Sequence, residues 1–120
     1  MSNRTKTVIT LTLLLVLAFF LRWQYILHTK FEIPLQADAR EYVTIAKNLA
    51  TAHVFSLTAN PADSGEPARP PGYPIFLAGI FTLTSTFLSF YWTTLLIQCL
   101  LGAATVAVTY WLASYALPKP

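Results

Sequence analysis

The sequence contains a long run, residues 70–118, with no Asp, Glu, Lys, Arg or His. An α-helix needs about 20 consecutive apolar residues to cross a membrane. The run is more than twice that length, so it predicts two crossings joined by a turn. The most polar part of the run places that turn within residues 84–89. We therefore expect one membrane helix at about residues 73–88 and another at about 91–116.

A further apolar segment covers about residues 7–27 and is interrupted by Arg22. Its basic start at Arg4 and Lys6 also resembles a secretory signal peptide, but no small-residue cleavage site follows. We interpret it as an uncleaved first membrane helix, and the two cations favour a cytoplasmic N-terminus. Arg22 has two interpretations: its side chain snorkels to the lipid headgroups, or it faces a polar cavity inside the protein.

The composition agrees with a membrane protein and excludes other classes. Charged residues make up 11% of the chain, whereas an average soluble domain has roughly a quarter. The net charge is +3, but the cations are scattered, so no nucleic-acid partner is predicted. Cys99 is the single cysteine, which excludes an intrachain disulfide and a cysteine metal cluster.

The loop between the first two predicted crossings, residues 28–70, carries all five acidic residues. Within it, residues 37–57 have the periodicity of an amphipathic helix lying on the membrane or on other helices. The predicted fold is therefore all-α: a polytopic membrane protein with three transmembrane helices plus an amphipathic surface helix in the first outer loop.

Asp38 stands at the start of the predicted surface helix, on its apolar side. One interpretation is structural: Asp38 caps the helix N-terminus, and Glu41 completes a capping-box-like pair. The other is catalytic: a partly shielded carboxylate takes a proton from an attacking hydroxyl as a general base. The two interpretations are compatible with each other.

Arg69 directly precedes a Pro-Pro-Gly-Tyr-Pro sequence at the predicted membrane boundary. The prolines and the glycine are explained by the need to end the loop and start a membrane helix. The arginine has no such explanation. Its guanidinium could pair with lipid phosphates in general, or with the phosphate of a bound lipid-linked substrate. Neither histidine has partners at metal-ligand spacing, and no metal ligands are predicted.

Three short motifs in this order resemble the N-terminal part of polyprenyl-phosphate-sugar-dependent membrane glycosyltransferases of the GT-C class. That class includes protein mannosyltransferase-like and aminoarabinose transferase-like enzymes of bacteria. The resemblance covers about residues 5–117. The motifs are Asp38-Ala39-Arg40-Glu41-Tyr42, Ile45-Ala46-Lys47-Asn48-Leu49 and Arg69-Pro70-Pro71-Gly72-Tyr73-Pro74.

The resemblance implies transfer of a sugar from a polyprenyl-phosphate donor to a hydroxyl acceptor on the non-cytoplasmic face. It assigns Asp38 as the catalytic base and places Glu41, Arg69 and Tyr73 in substrate binding. Some members carry a second acid directly after the first, and here that position is Ala39. A site with two carboxylates would therefore have to recruit Glu41 or a residue elsewhere.

The resemblance also implies the setting of the reaction. The partners are the lipid-linked sugar donor, a lipid, glycan or protein hydroxyl acceptor, and the lipid bilayer of the bacterial inner membrane. No cofactor is implied with certainty, and a divalent metal requirement is left open. Because such enzymes have many more crossings, we expect this chain to be an N-terminal portion that is inactive in isolation.

Two hypotheses from other classes are retained. The first is a small non-catalytic multi-pass membrane protein, such as an assembly or regulatory subunit. The second is a fragment of a transporter, which is disfavoured because no ionisable Asp, Glu, Lys, Arg or His lies within the second or third predicted helix.

Overall fold

The computed structural model of the chain describes residues 3–29, 35, 37–60 and 69–116. Four helices account for most of them, in the order α1 (Asn3–His28), α2 (Ala37–Ala52), α3 (Gly72–Leu83) and α4 (Phe87–Ala116). No strand occurs among the described residues. The predicted all-α class is confirmed for this part of the chain.

Two of the helices, α1 and α4, are long and apolar enough to cross a membrane. They contain 26 and 30 residues, about 39 and 45 Å of helix at 1.5 Å per residue, against a hydrocarbon core of about 30 Å. Their apolar windows are 0% and 11% buried inside the protein. Side chains such as Leu13 and Leu101 are more than half exposed. Apolar surface this extensive is typical of helices that are covered by lipid.

The apolar helix α3 is shorter than the prediction of a second crossing required. It has 12 residues, or about 18 Å, so a third membrane crossing is not confirmed. The helix ends at Leu83 because Thr84 is extended, with φ −120° and ψ 139°. The Thr84 hydroxyl donates to the Ile80 carbonyl at 3.1 Å. After this bend, the Thr86 hydroxyl accepts the Ser89 N–H at 3.1 Å and so caps the start of α4.

The chain divides into two compact units, the first of which joins α1 to the part of α4 from Leu95 onward. Towards the C-terminal end of α1, Arg22 lies against Gly102 in the middle of α4: a Cβ added at Gly102 would be 2.6 Å from Arg22 Nε. Near the other end, Lys6 and Tyr110 line the same small cavity. Low numbers on α1 therefore meet high numbers on α4, and the two helices run antiparallel.

The second unit, residues 30–94, contains α2, α3 and the start of α4. Its core includes Ile45 from α2 and Leu77 from α3, which are 0% and 2% exposed, and α2 packs on α3. On the opposite face of α2, the side chains of Arg40 and Lys47 are exposed, as the amphipathic pattern predicts. The surface helix thus rests on another helix of the protein.

Helix α2 ends at Ala52, whereas the sequence pattern predicted helix to about residue 57. His53 adopts φ 57°, and the Val54 N–H donates to the Asn48 carbonyl at 3.4 Å. A left-handed residue directly after the last helical residue reverses the chain and is a common way for a helix to end. The side chain of Asn48 then donates to the Ser56 carbonyl at 2.9 Å, which fixes the segment that follows.

The packing of α2 on α3 gives a test of the fold. Ile45→Ala removes a fully buried side chain, so the free energy of unfolding should fall by about 2–5 kcal/mol. The matched control is Ile75→Ala on α3, where the side chain is 55% exposed and the loss should be much smaller. Denaturant titration of the purified protein in detergent measures both. Equal losses for the two variants would contradict the described core.

Candidate functional site

The first turn of α2 brings acidic and aromatic side chains to one face. Asp38, Glu41 and Tyr42 are at positions i, i+3 and i+4, which are neighbours on a helix surface. The chain reaches this turn through Ala37, whose φ is 47°, a left-handed conformation that costs an L-residue roughly 1–2 kcal/mol. The backbone at Ala37 therefore sets the direction in which the acidic turn begins.

Arg69 lies between the two carboxylates of this turn. Its Nη2 donates to Asp38 Oδ1 at 2.6 Å, and its Nε donates to Glu41 Oε2 at 2.7 Å. The side chains of Arg69, Glu41 and Asp38 are 29%, 39% and 66% exposed, respectively. One planar guanidinium thus serves two acids that are a helical turn apart, which a lysine ammonium cannot reproduce with the same fork geometry.

The electrostatics of the site keep Arg69 charged. The hydrogen bond to Glu41 is the largest cause that raises the pKa of the Arg69 guanidinium above its ordinary value. Desolvation acts in the opposite direction, and the negative charges of Asp38 and Glu41 add to the increase. The cluster of one cation and two carboxylates is therefore stable as an ionised group wherever both acids are deprotonated.

Aromatic rings extend the site from α2 to α3. The Arg69 Cζ lies 5.7 Å from the centroid of the Tyr42 ring, within the range of a cation–π contact. Tyr42 in turn meets Tyr73 edge-to-face, with ring centroids 5.2 Å apart. Tyr73 stacks near Phe76 at 6.1 Å. The rings hold the end of α2 that carries the acids beside the start of α3.

The four residues singled out from the sequence are thus brought together. Asp38, Glu41 and Arg69 are in direct contact, and Tyr73 is joined to them through Tyr42. Sequence reasoning assigned no site role to Tyr42, although its position four residues after Asp38 was a usable signal. It also missed that Arg69 pairs with the two acids, because residues 31 and 28 positions away in sequence give no local pattern.

Within the described residues, Asp38 does not form the hydrogen bond of a helix cap. The hydrogen bond that Asp38 makes among the described residues runs to Arg69, and not to the backbone of its own helix. Its negative charge in the first turn still interacts favourably with the helix dipole. Asp38 is therefore positioned by a distant side chain.

Two sets of atoms at the site remain available for chemistry. Within the described residues, Asp38 Oδ2 accepts no hydrogen bond, since the bond to Arg69 uses Oδ1. A guanidinium has five N–H donors, and those on Arg69 Nη1 have no acceptor in the same part of the chain. The arrangement offers a solvent-accessible carboxylate oxygen next to unused cationic donors.

A separate cavity lies elsewhere in the same unit. It has a volume of about 500 Å³ and is lined by residues of the C-terminal half of α2 and of the bend before α4, among them Lys47, Asn48, Thr84, Ser85 and Thr86. None of Asp38, Glu41, Arg69 or Tyr73 lines it. Lys47 is about 14 Å along the helix from Asp38, so the cavity is separate from the acidic cluster.

In the described ranges, no group of three or more His, Cys, Asp or Glu residues is placed to hold a metal ion. Comparisons of the chain with protein-family models, curated proteins and solved structures give no match. The glycosyltransferase resemblance therefore stays a prediction that depends on the motifs themselves.

The Arg69 cluster gives a second test. Arg69→Met removes both charge-assisted hydrogen bonds, so the amides of residues 41–44, which donate to carbonyls of the first turn of α2, should exchange with deuterium faster than in the wild type. Arg40→Met is the matched control, because Arg40 is an exposed cation on the same helix and its loss should leave these amides unchanged. Hydrogen exchange with mass spectrometry measures the difference. Unchanged exchange in Arg69→Met would show that the bridge does not hold the turn.

Proposed function

We propose that the chain is the N-terminal portion of a bacterial membrane glycosyltransferase that transfers a sugar from a polyprenyl-phosphate donor to a hydroxyl acceptor. The observation that carries the proposal is the contact of Arg69 with Asp38 at 2.6 Å. A phosphate-binding cation and a candidate base are adjacent, as the transfer requires. The motif order that resembles GT-C enzymes supplies the substrate class.

In the proposed reaction, the acceptor hydroxyl attacks the anomeric carbon of the donor sugar. A bond forms between the acceptor oxygen and that carbon, while the bond from the carbon to the phosphate oxygen breaks. The electron pair of the broken bond leaves on the phosphate, and Asp38 Oδ2 takes the hydroxyl proton. The remaining N–H donors of Arg69 bind the phosphate and stabilise its developing charge.

The bridge also suggests how Asp38 becomes an effective base. In the described state, Arg69 binds Asp38 Oδ1 and Glu41 Oε2, so its donors are divided between the two carboxylates. A donor phosphate competes for the same guanidinium. Donor binding would therefore shift Arg69 from Asp38 towards the phosphate and leave both Asp38 oxygens free to accept the hydroxyl proton, while Glu41 keeps Arg69 in place.

The membrane topology belongs to the same proposal. Three crossings would put the C-terminal end of α4 outside if the N-terminus is cytoplasmic. The antiparallel pairing of α1 with α4 instead favours two crossings. The C-terminal end of α4 then lies on the same side of the membrane as the N-terminal end of α1. In either arrangement the segment that carries Asp38 follows the outer end of α1, on the non-cytoplasmic face of the inner membrane.

Cysteine labelling from outside the membrane separates these topologies. In a Cys99→Ser background, a cysteine at Ser64 should be labelled, whereas cysteines at Ser2 and Ser114 should be protected, because two crossings return α4 to the cytoplasm. Labelling at Ser114 as well as Ser64 would support three crossings. Labelling at Ser2 but not at Ser64 would overturn the orientation and the side proposed for the site.

The catalytic role of Asp38 gives the main test, made in the longer enzyme of which we propose this chain to be the N-terminal portion. Asp38→Asn should lower turnover by about 10²–10⁴-fold, because the amide keeps a hydrogen-bond acceptor for Arg69 but removes the basicity. If Asp38 served structure alone, through its pairing with Arg69, Asn would lower sugar transfer only in proportion to the loss of folded protein. Sugar transfer from a polyprenyl-phosphate donor is measured together with the amount of folded protein in the membrane.

Glu41→Gln is the matched control for that experiment. It removes the charge of the other carboxylate that contacts Arg69 and leaves Asp38 intact, so its effect on turnover should be much smaller. A longer protein that shows no sugar transfer would favour the alternative of a non-catalytic membrane subunit. If the wild type is active and Asp38→Asn has near-normal turnover, the protein is still a glycosyltransferase. Asp38 is then not its catalytic base.

A further inference from the structure

Arg22 is a cation inside the apolar part of α1. The helix ends at His28, so the Arg22 backbone lies about 9 Å before that end. An arginine at this depth usually extends its side chain towards the nearer membrane surface. The direction of the side chain therefore distinguishes an arginine whose guanidinium reaches the headgroups from one whose guanidinium stays within the hydrocarbon core.

The Arg22 side chain extends in the opposite direction. Its Nη1 donates to the Ala18 carbonyl at 2.9 Å, one turn closer to the middle of α1. Ala18 lies about 15 Å along the helix from His28, which is half the thickness of a hydrocarbon core of about 30 Å. The guanidinium is thus directed towards the bilayer centre.

Helix α4 gives an independent measure of the same depth. Gly102 is at the midpoint of α4, which runs from Phe87 to Ala116. A Cβ at Gly102 would lie 2.6 Å from Arg22 Nε and 3.0 Å from Arg22 Cδ. The missing side chain of Gly102 therefore leaves the space that the guanidinium occupies. Both helices place this charge near the membrane midplane.

The described residues offer few hydrogen-bond acceptors to the Arg22 guanidinium. The Ala18 carbonyl is the one hydrogen-bond acceptor that Arg22 has in this part of the chain, although a guanidinium has five N–H donors. A groove beside it, of about 360 Å³, is lined by Leu21, Arg22, Tyr25, Ile26, Gln98 and Cys99. The groove is largely apolar and supplies no carboxylate.

Neither α1 and α4 nor the lipid is suited to neutralise Arg22 at this depth. All acidic residues lie within positions 32–66, so α1 and α4 contain none, and a second copy of these helices would add none. Lipid phosphates lie at the membrane surface, roughly 15 Å from the midplane. A charge within a membrane is expensive unless it pairs with an opposite charge.

We infer that Arg22, in the space over Gly102, is a docking site for a transmembrane helix that carries an Asp or Glu near its middle and lies outside these 120 residues. The carboxylate would bind the free guanidinium donors, and the apolar groove would pack the helix around it. The inference uses the membrane placement of α1 and α4 but not the glycosyltransferase reaction. It assigns a partner by charge complementarity at a defined depth.

The experiment uses the full chain reconstituted in phosphatidylcholine vesicles, with insertion checked by resistance to alkaline extraction. The probes are leucine-rich transmembrane peptides of about 20 residues that carry Asp, Asn or Leu at the centre. Energy transfer between labelled chain and labelled peptide reports association. The inserted chain should bind the Asp peptide about tenfold more tightly than the Leu peptide, with the Asn peptide between them.

Substitutions in the chain identify the group responsible. Arg22→Leu should abolish the preference for Asp while keeping α1 apolar and inserted. Gly102→Leu should reduce the preference, because its side chain fills the space occupied by the guanidinium. Arg4→Leu is the matched control, since it removes a cation from the end of the same helix and should leave the preference unchanged.

Several results would overturn the inference. Equal binding of the Asp and Leu peptides by the inserted wild-type chain would do so, as would an Asp preference that survives Arg22→Leu. A preference that disappears when phosphatidylglycerol is added would show that lipid phosphate neutralises Arg22 instead. A chain that fails to insert would remove the membrane placement on which the inference depends.

Discussion

The contact of one guanidinium with two carboxylates organises the second unit of this protein. Arg69 joins Asp38 and Glu41 of α2 to the segment that leads into α3. Pro70 and Pro71 follow at once, and the fixed φ of proline limits how the chain can leave the arginine. The position of Arg69 therefore determines where α3 starts, and α3 then supplies Leu77 to the buried core. The candidate site and the packing of the unit have a common origin.

The two units differ in how much of their apolar surface is buried within the protein. In the second unit, α2 turns its apolar side towards α3, so its core is made within the protein. In the first unit, the helical stretches expose most of their leucine and valine side chains, so their apolar surface must be covered from outside. The chain thus contains one part whose apolar surface is covered by its own packing and another whose apolar helices are long enough to cross a membrane.

Much of this arrangement could be predicted from local sequence. The absence of charge from residues 70–118 correctly indicated helices, and the alternation of polar and apolar residues indicated the exposed face of α2. The length of α3 could not be read in the same way, because Thr84 and Thr86 interrupt the helix by backbone hydrogen bonds in a run that stays uncharged. Hydrophobicity alone does not distinguish such a bend from a continuing helix.

The sequence indicated which residues belong to the candidate site, but it did not indicate which of them contact each other. Asp38 and Glu41 stood out at the start of an amphipathic helix, and Arg69 and Tyr73 stood out in a proline-rich segment before an apolar run. Their pairing depends on a fold that joins positions 31 residues apart, and no periodicity reports that distance. The direction of the Arg22 side chain was equally hidden, since it depends on the missing side chain of Gly102 on another helix.

The left-handed backbone at Ala37 has a consequence for sequence variation. With φ at 47°, this position is open to Gly, Asn and Asp at low cost, whereas Val, Ile and Thr meet a steric barrier. Functional variants of the chain should therefore be rich in small or amide residues immediately before the acidic turn and depleted of β-branched ones. A single torsion angle, rather than any contact of the Ala37 side chain, restricts which sequences can present Asp38 to Arg69.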